Sequence, residues 1–250
     1  MTPNVHNGLT TFHLWAPYED VVTLRLLNGS KQPTDHVMRN EGCGYHSLEL
    51  PCGHGQLYQY VQDGKPLPDP ASAFQPEGVH GPSMVIDFAF PDNDRVDWTG
   101  VPKDDLILYE LHIGTFTSEG TYTAAIKRLD HLVTLGITAI ELMPLAECPG
   151  RWNWGYDGVC LYAPSHNYGS PAELHAFVQA CHRRGLAVIL DVVYNHLGPE
   201  GNYLRQFGPY FGNESTPWGT APAVSGKAQR PVRDFFINNA LHWIKHYGFD

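Results

Sequence analysis

Ala187-Val188-Ile189-Leu190-Asp191-Val192-Val193-Tyr194-Asn195-His196 is the stretch that decides the fold. An apolar run this dense suits a strand covered on both faces, as in a parallel α/β sheet. Polar side chains follow at its carboxyl end, where α/β barrels keep their active sites. The segment before it fits the same plan. Ser170-Pro171-Ala172-Glu173 is a capping box with proline at the first helical position. Leu174, Phe177, Val178 and Cys181 form the apolar stripe of the helix that follows, and Gly185 ends it.

Moving outward, residues 106–112 read as an earlier strand and residues 137–142 as a second. Between them the spacing predicts a helix over 122–135, with Ile126, Leu129 and Val133 on one face and Gly136 as its stop. A last helix is expected over about 231–247, with Val232, Phe235, Phe236, Ala240 and Trp243 inward and Gly248 ending it. Phe249-Asp250 reads as the start of a fourth strand. Repeated strand–helix units of this kind build a parallel sheet, open or closed as a (β/α)8 barrel. A closed barrel takes about 250 residues, more than the chain has left after Asp94. The expectation is therefore an incomplete barrel of three to four βα units over residues 95–250.

Residues 1–94 read differently. Alternating runs at 11–15, 21–26, 45–50 and 57–61 are separated by turn residues such as Asn28-Gly29 and Asp63-Gly64. Short strands at this spacing predict an all-β sandwich. A proline-rich stretch, Pro66 to Pro82, leads out of it. Two loops, 143–169 and 194–230, are long for an α/β fold, where such connections usually run about 2–6 residues.

Composition excludes some partners. Sixteen basic residues against 26 acidic ones give a formal charge of −10. Nucleic acid and anionic membrane surfaces need a basic face, so neither is expected. Five scattered cysteines without a C-x-x-C spacing predict neither a zinc site nor a disulfide framework, and they fit a reducing cytosol. Residues 1–12 lack the cationic start and apolar centre of a signal peptide, and no apolar run reaches the roughly 20 residues of a membrane helix. A soluble cytoplasmic protein is expected.

The D-x-x-x-N-H pattern of Asp191, Asn195 and His196 resembles the first signature region of the α-amylase family of glycoside hydrolases. Gly155-Tyr156-Asp157 lies in the loop after the second strand, where that family keeps a tyrosine for the sugar at the cleavage point. The N-terminal sandwich is similar to the immunoglobulin-like, glucan-associated module of its branching and debranching members. Three longer stretches, 68–83, 149–158 and 195–203, resemble in particular the members that release trehalose from malto-oligosyltrehalose.

The resemblance implies a substrate, malto-oligosyltrehalose or a related α-glucan, and a pathway partner, the malto-oligosyltrehalose synthase. It implies retaining cleavage by two carboxylates about 5–5.5 Å apart. It places the nucleophilic aspartate, the acid/base glutamate and a third aspartate beyond Asp250. Asp250 itself matches the head of the strand-four motif, so no catalytic residue is assigned and this chain alone is expected to be inactive. By resemblance His196 donates to the sugar at the cleavage point and Tyr156 stacks on it. Asp157 supports the pocket wall, and Asp191 orients an arginine beyond the chain. Asn195 is a calcium ligand in many amylases but not in the trehalose-releasing members, so neither metal nor cofactor is expected.

Other residues stay open. Trp152, Trp218, Tyr203 and Tyr210 either line sugar subsites or pack beneath the long loops. Glu110 and Glu141 read as structural, Glu200 as structural or as a contact to a sugar hydroxyl, and His112 as a cap of the first strand. Two other functions compete: a glycogen branching or debranching enzyme, and a non-catalytic glucan-binding fragment. A half barrel would leave a strand edge unpaired and an apolar face bared, which predicts self-association.

Overall fold

The structure is a computed structural model that describes residues 2–90, 97–225 and 229–250. The N-terminal part forms two antiparallel sheets. Strands β1 (Asn4–His6), β2 (Leu9–Trp15), β3 (Thr23–Leu27), β4 (Thr34–Val37), β5 (Arg39–Gly42), β6 (Tyr45–Leu50), β7 (Leu57–Gln62), β8 (Lys65–Leu67) and β9 (Ser83–Met84) build it. One sheet has the order β1-β2-β6-β5; the other has β4-β3-β7-β8, with β9 also on β7. The period of two works as expected: Phe12 and Leu14 from one sheet share a buried cluster with Leu24, Leu26, Tyr58 and Tyr60 from the other. The edge strands β4 and β5 are polar and nearly all exposed, so no apolar pattern marks them in the sequence. The boundary expected at Asp94 lies outside the described residues.

The C-terminal part is built on three parallel strands. They are β10 (Leu108–Leu111), β11 (Ala139–Leu142) and, after a two-stranded flap of β12 (Ala146–Glu147) with β13 (Cys160–Pro164), β14 (Ala187–Leu190). The order is β10-β11-β14, in register Glu110–Glu141–Ile189. Outside the sheet stand α1 (Ile113–Phe116), α2 (Tyr122–Ile126), α3 (Leu129–Thr134) and α4 (Pro171–His182). The capping box forms as expected, with Glu173 N donating to Ser170 Oγ and Ser170 N donating to Glu173 Oε2. Leu174, Phe177, Val178 and Cys181 are fully buried against Ile140, Leu142 and Val188.

Three expectations are corrected. The helix over 122–135 is two short helices, because Arg128 leaves helical geometry at φ −105° and ψ −5°. Val133, expected inward, is 42% exposed. The first strand is shorter than residues 106–112, since Ile107 N turns to donate to the Thr138 hydroxyl at its amino end.

The loop after β14 carries α5 (Leu204–Phe207) and a hairpin of β15 (Phe211–Thr216) and β16 (Gly219–Pro222). Helix α6 (Gln229–His242) then runs into a π-helical turn, Trp243–Tyr247, that Gly248 closes at φ 81°. Val232 and Phe235 on α6 join the core of the two antiparallel sheets, through Tyr210 and Trp15. Phe249-Asp250 is not paired as a regular strand, but Asp250 N donates to Val188 O at 2.9 Å, alongside β14. The Asp250 carboxylate accepts from Val188 N, His182 Nε2 and Trp98 Nε1 at 2.8, 3.0 and 2.6 Å. That clamp lies at the amino end of the sheet, opposite the two long loops.

Candidate functional site

The inner face of the parallel sheet forms the floor. Ile140 and Leu142 belong to the buried cluster under the helices, so Glu141 between them faces the other way. The same alternation puts Glu110 and Asp191 on that inner face, with Glu110 level with Glu141 in register. The reading of Glu110 and Glu141 as structural did not assign them to a face, which the register now does. The signal was available: an acidic residue at the centre of an apolar strand marks a face that does not enter the core.

The wall comes from the loop after β11. Gly155 takes φ +93°, and a Cβ there would collide with the carbonyl oxygen of Pro144. Glycine is therefore required where the loop turns. Asn153 ties the turn on both sides: its amide nitrogen donates to Cys148 Sγ, and its Oδ1 accepts from Gly155 N at 2.5 Å. The turn delivers Tyr156, whose hydroxyl donates to Asp191 Oδ2 at 2.9 Å. That bond to a carboxylate, with burial and the charges of Asp191, Glu110 and Glu141, pushes the phenol up to about 12. Tyr156 thus stays a neutral donor, with its ring 41% exposed.

His112 follows β10 and is buried. Its Nε2 bonds the Tyr168 hydroxyl at 2.9 Å, and its ring meets Trp154 edge-on at 5.1 Å. Burial lowers its pKa, partly offset by the backbone of Asn153.

The second wall comes from the loop after β14. His196 is 8% exposed, with Nδ1 and Asn195 Oδ1 3.0 Å apart. If Nδ1 carries the proton there, Nε2 accepts in the neutral ring and donates in the charged one. Trp218, in the turn of the β15–β16 hairpin, stacks over His196 at 5.9 Å and 29°. Gly198 locks this loop to the first: its amide donates to Gly158 O at 3.2 Å, and a Cβ would collide with Asp157 O. Asp157 therefore touches the other wall through its backbone while its side chain is exposed.

The three stretches singled out in the sequence meet in space. Residues 149–158 and 195–203 join at Gly198. Residues 68–83 reach the latter through His80, whose Nδ1 lies 2.7 Å from the Tyr203 hydroxyl and whose Nε2 lies 3.5 Å from Glu200. Val79 fills the space beside Gly201 and packs with Val159, Cys160 and Ala163. Tyr210, one of the aromatics left open, is core: it is 4% exposed and sits between Trp15 and Phe235. Trp152 and Trp218 are not core, at 74% and 67% exposed.

A family model described as the catalytic domain of α-amylase matches residues 86–246. The malto-oligosyltrehalose trehalohydrolase of Saccharolobus solfataricus is 47% identical over 245 residues, covering 96% of this chain and 42% of that protein. A crystal structure from Salmonella typhimurium, solved as a candidate α-amylase, superposes with a TM-score of 0.93 at 40% identity, over 100% of this chain and 42% of that one. A pullulanase from Anoxybacillus, solved with maltotetraose, superposes at 0.87 with 26% identity, over 100% of this chain and 44% of that one. The chain spans about two-fifths of the length of the curated relatives it matches.

Proposed function

We propose, from the premise that this chain belongs to the α-amylase family of catalytic domains, that it supplies one half of an α-glucan site. The reaction served is retaining cleavage of the α-1,4 bond next to the terminal trehalose of malto-oligosyltrehalose, which releases trehalose. In this reading the two antiparallel sheets over 1–94 are an immunoglobulin-like, glucan-associated sandwich. The parallel strands over 95–250 begin a (β/α)8 barrel. The metabolism is cytoplasmic, in keeping with five cysteines that are all free, and the substrate comes from a malto-oligosyltrehalose synthase.

The observation that carries the reading is the Tyr156–Asp191 hydrogen bond. It joins the loops after β11 and β14 directly above the acidic floor. Tyr156 is held by its hydroxyl, which leaves the ring face for a pyranose. His196 bonds a hydroxyl of the same sugar through Nε2, and Trp218 and Asn195 hold its ring in place. With the hydroxyl donating to Nε2 of the neutral ring, this bond strengthens as positive charge builds on the sugar and acidifies its hydroxyls, so it serves the transition state more than the bound substrate. Asp191 has a further capacity to accept from a cation brought in beside it. Asp157 braces the wall through its contact with Gly198. No metal is needed for these roles.

The trehalose-releasing reading is favoured over branching or debranching by the 68–83 stretch. It packs onto residues 200–203 and so shapes the rim of the site. The test is a product assay on malto-oligosyltrehalose with the intact gene product. Free trehalose is expected, and branched glucan in its place would sink the assignment. The 250-residue chain by itself is expected to give no turnover, because no nucleophile or acid/base is assigned among its residues.

A further inference from the structure

Six tryptophans are distributed very unevenly between core and water. Trp15 and Trp243 are 6% and 3% exposed, and Trp98 stacks on His182 at 4.5 Å. Trp152, Trp154 and Trp218 are 74%, 59% and 67% exposed, and all three lie in the two long loops that carry Tyr156 and His196. An indole left in water costs free energy that burial elsewhere would recover, so such a cluster on one rim marks a binding face. Trp218 stands over His196 and Trp154 leans on His112, so both have partners in the site already described.

Trp152 has a different arrangement. The loop is tied down on both sides of it, by Asn167 Nδ2 donating to Gly150 O at 3.1 Å and by the Asn153 bonds to Cys148 and Gly155. Between those ties the Arg151 guanidinium lies over the Trp152 ring, 4.8 Å from its centre. A planar cation on one face holds the indole upright and leaves the other face open. An apolar, uncharged face beside a row of guanidinium donors suits a pyranose, which offers C–H groups on its face and hydroxyls at its edge. Trp152 lies four residues before Tyr156 in the same loop, so the occupant it fits is a further unit of the glucan read at Tyr156.

We infer that Trp152, backed by Arg151, is an outer stacking platform for a glucose unit of an α-1,4-glucan beyond the unit held at Tyr156. This rests on the α-glucan reading above. It makes the loop after β11 a determinant of chain length, with long glucans gaining a contact that short ones do not reach.

Calorimetric titration of the protein with maltose and with maltoheptaose separates the possibilities. Trp152→Ala is expected to weaken maltoheptaose binding at least fivefold and to change maltose binding less than twofold. Trp152→Phe should restore part of the loss, and Arg151→Ala should give a smaller loss with the same chain-length bias. Tyr156→Ala should weaken both sugars. Because Trp152 is exposed, its replacement should leave the melting temperature unchanged. Unaltered maltoheptaose affinity in Trp152→Ala, with Tyr156→Ala impaired, overturns the platform and leaves the α-glucan site standing. Equal weakening of both sugars overturns the outer position. Absence of binding by the unsubstituted protein overturns both readings.

Discussion

The two antiparallel sheets and the three-stranded parallel sheet use similar apolar residues to opposite ends. In the first region both inner faces meet, and Phe12, Leu24, Tyr58 and Tyr60 are completely buried. In the second only the outer face is covered. Ile140, Leu142 and Val188 are buried under the helices, whereas Leu108 on the inner face is 50% exposed. The inner face also carries Glu110, Glu141 and Asp191, which a core would not tolerate unpaired. The contrast teaches that hydrophobicity of a strand does not say which of its faces is core. The acidic residues do, since they mark the face that stays out of the core.

The largest expected effect tests the closed region. Phe12→Ala should cost about 3–5 kcal/mol in unfolding free energy, because the facing sheets cannot collapse onto the vacated ring. Urea denaturation measures it. A cost below about 1 kcal/mol would mean that the two sheets do not share a packed core, and the comparison would fail at its first term.

Asp69 puts a titratable group inside that same closed region. It accepts from Tyr58 Oη and Ala71 N, both at 2.7 Å, and is 2% exposed. Burial pushes its carboxyl up to about 6 from 3.8, although both hydrogen bonds pull the other way. The folded state therefore keeps this proton after the unfolded chain has lost it. The stabilising contribution is whole below the unfolded pKa of 3.8 and is lost as pH rises through about 6. A shift of this size corresponds to about 3 kcal/mol. Asp69→Asn retains an oxygen for Ala71 N and carries no charge. Its stability, followed by denaturation from pH 4 to 7, should lack that decline relative to the unsubstituted protein. Parallel curves for the two proteins would show that Asp69 is already ionised when folded.

Gly155 tests the open region. Gly155→Ala forces a Cβ against the Pro144 carbonyl at φ +93°. A strained backbone of this kind costs about 1–3 kcal/mol, and here the loop should give way while the sheet holds. Maltoheptaose affinity should fall at least tenfold with a melting temperature lowered by only a few degrees. Retained affinity would show that the turn is not what delivers Tyr156.

These two regions were unequally legible in the sequence. The strand ending at Leu190 and the box at Ser170–Glu173 are local signals, and both stand where they were expected. The edge strands Thr34–Val37 and Arg39–Gly42 were missed because an edge with no buried face has no pattern to show. The break at Lys127–Arg128 was hidden because both halves keep helical spacing, while Val133 and Leu135 point to water. The motif residues Tyr156, Asp191 and His196 were legible by type. Their meeting was not, since a hydrogen bond between residues 156 and 191 depends on register across β11 and β14. The contact of His80 with Tyr203, 123 residues apart, is likewise beyond any local rule.

The smallest effect sharpens the comparison most. Leu108 and Phe12 are both apolar residues in strands, and hydrophobicity alone treats them alike. Phe12 is completely buried and Leu108 is half in water. A large-to-small change costs what is lost in transfer plus the cavity left behind. At Leu108 there is no enclosed cavity to leave, and much of the side chain is already hydrated. Leu108→Ala should therefore change stability by no more than about 0.5 kcal/mol, the range of ordinary surface substitutions. Measured beside Phe12→Ala under the same denaturant conditions, it gives the ratio of core to open face directly. A loss of about 2 kcal/mol or more at Leu108 would show that the inner face is covered in solution, by a second copy of the chain or by rearrangement of its own loops. Dependence of that loss on protein concentration would separate the two, since only association between copies responds to dilution.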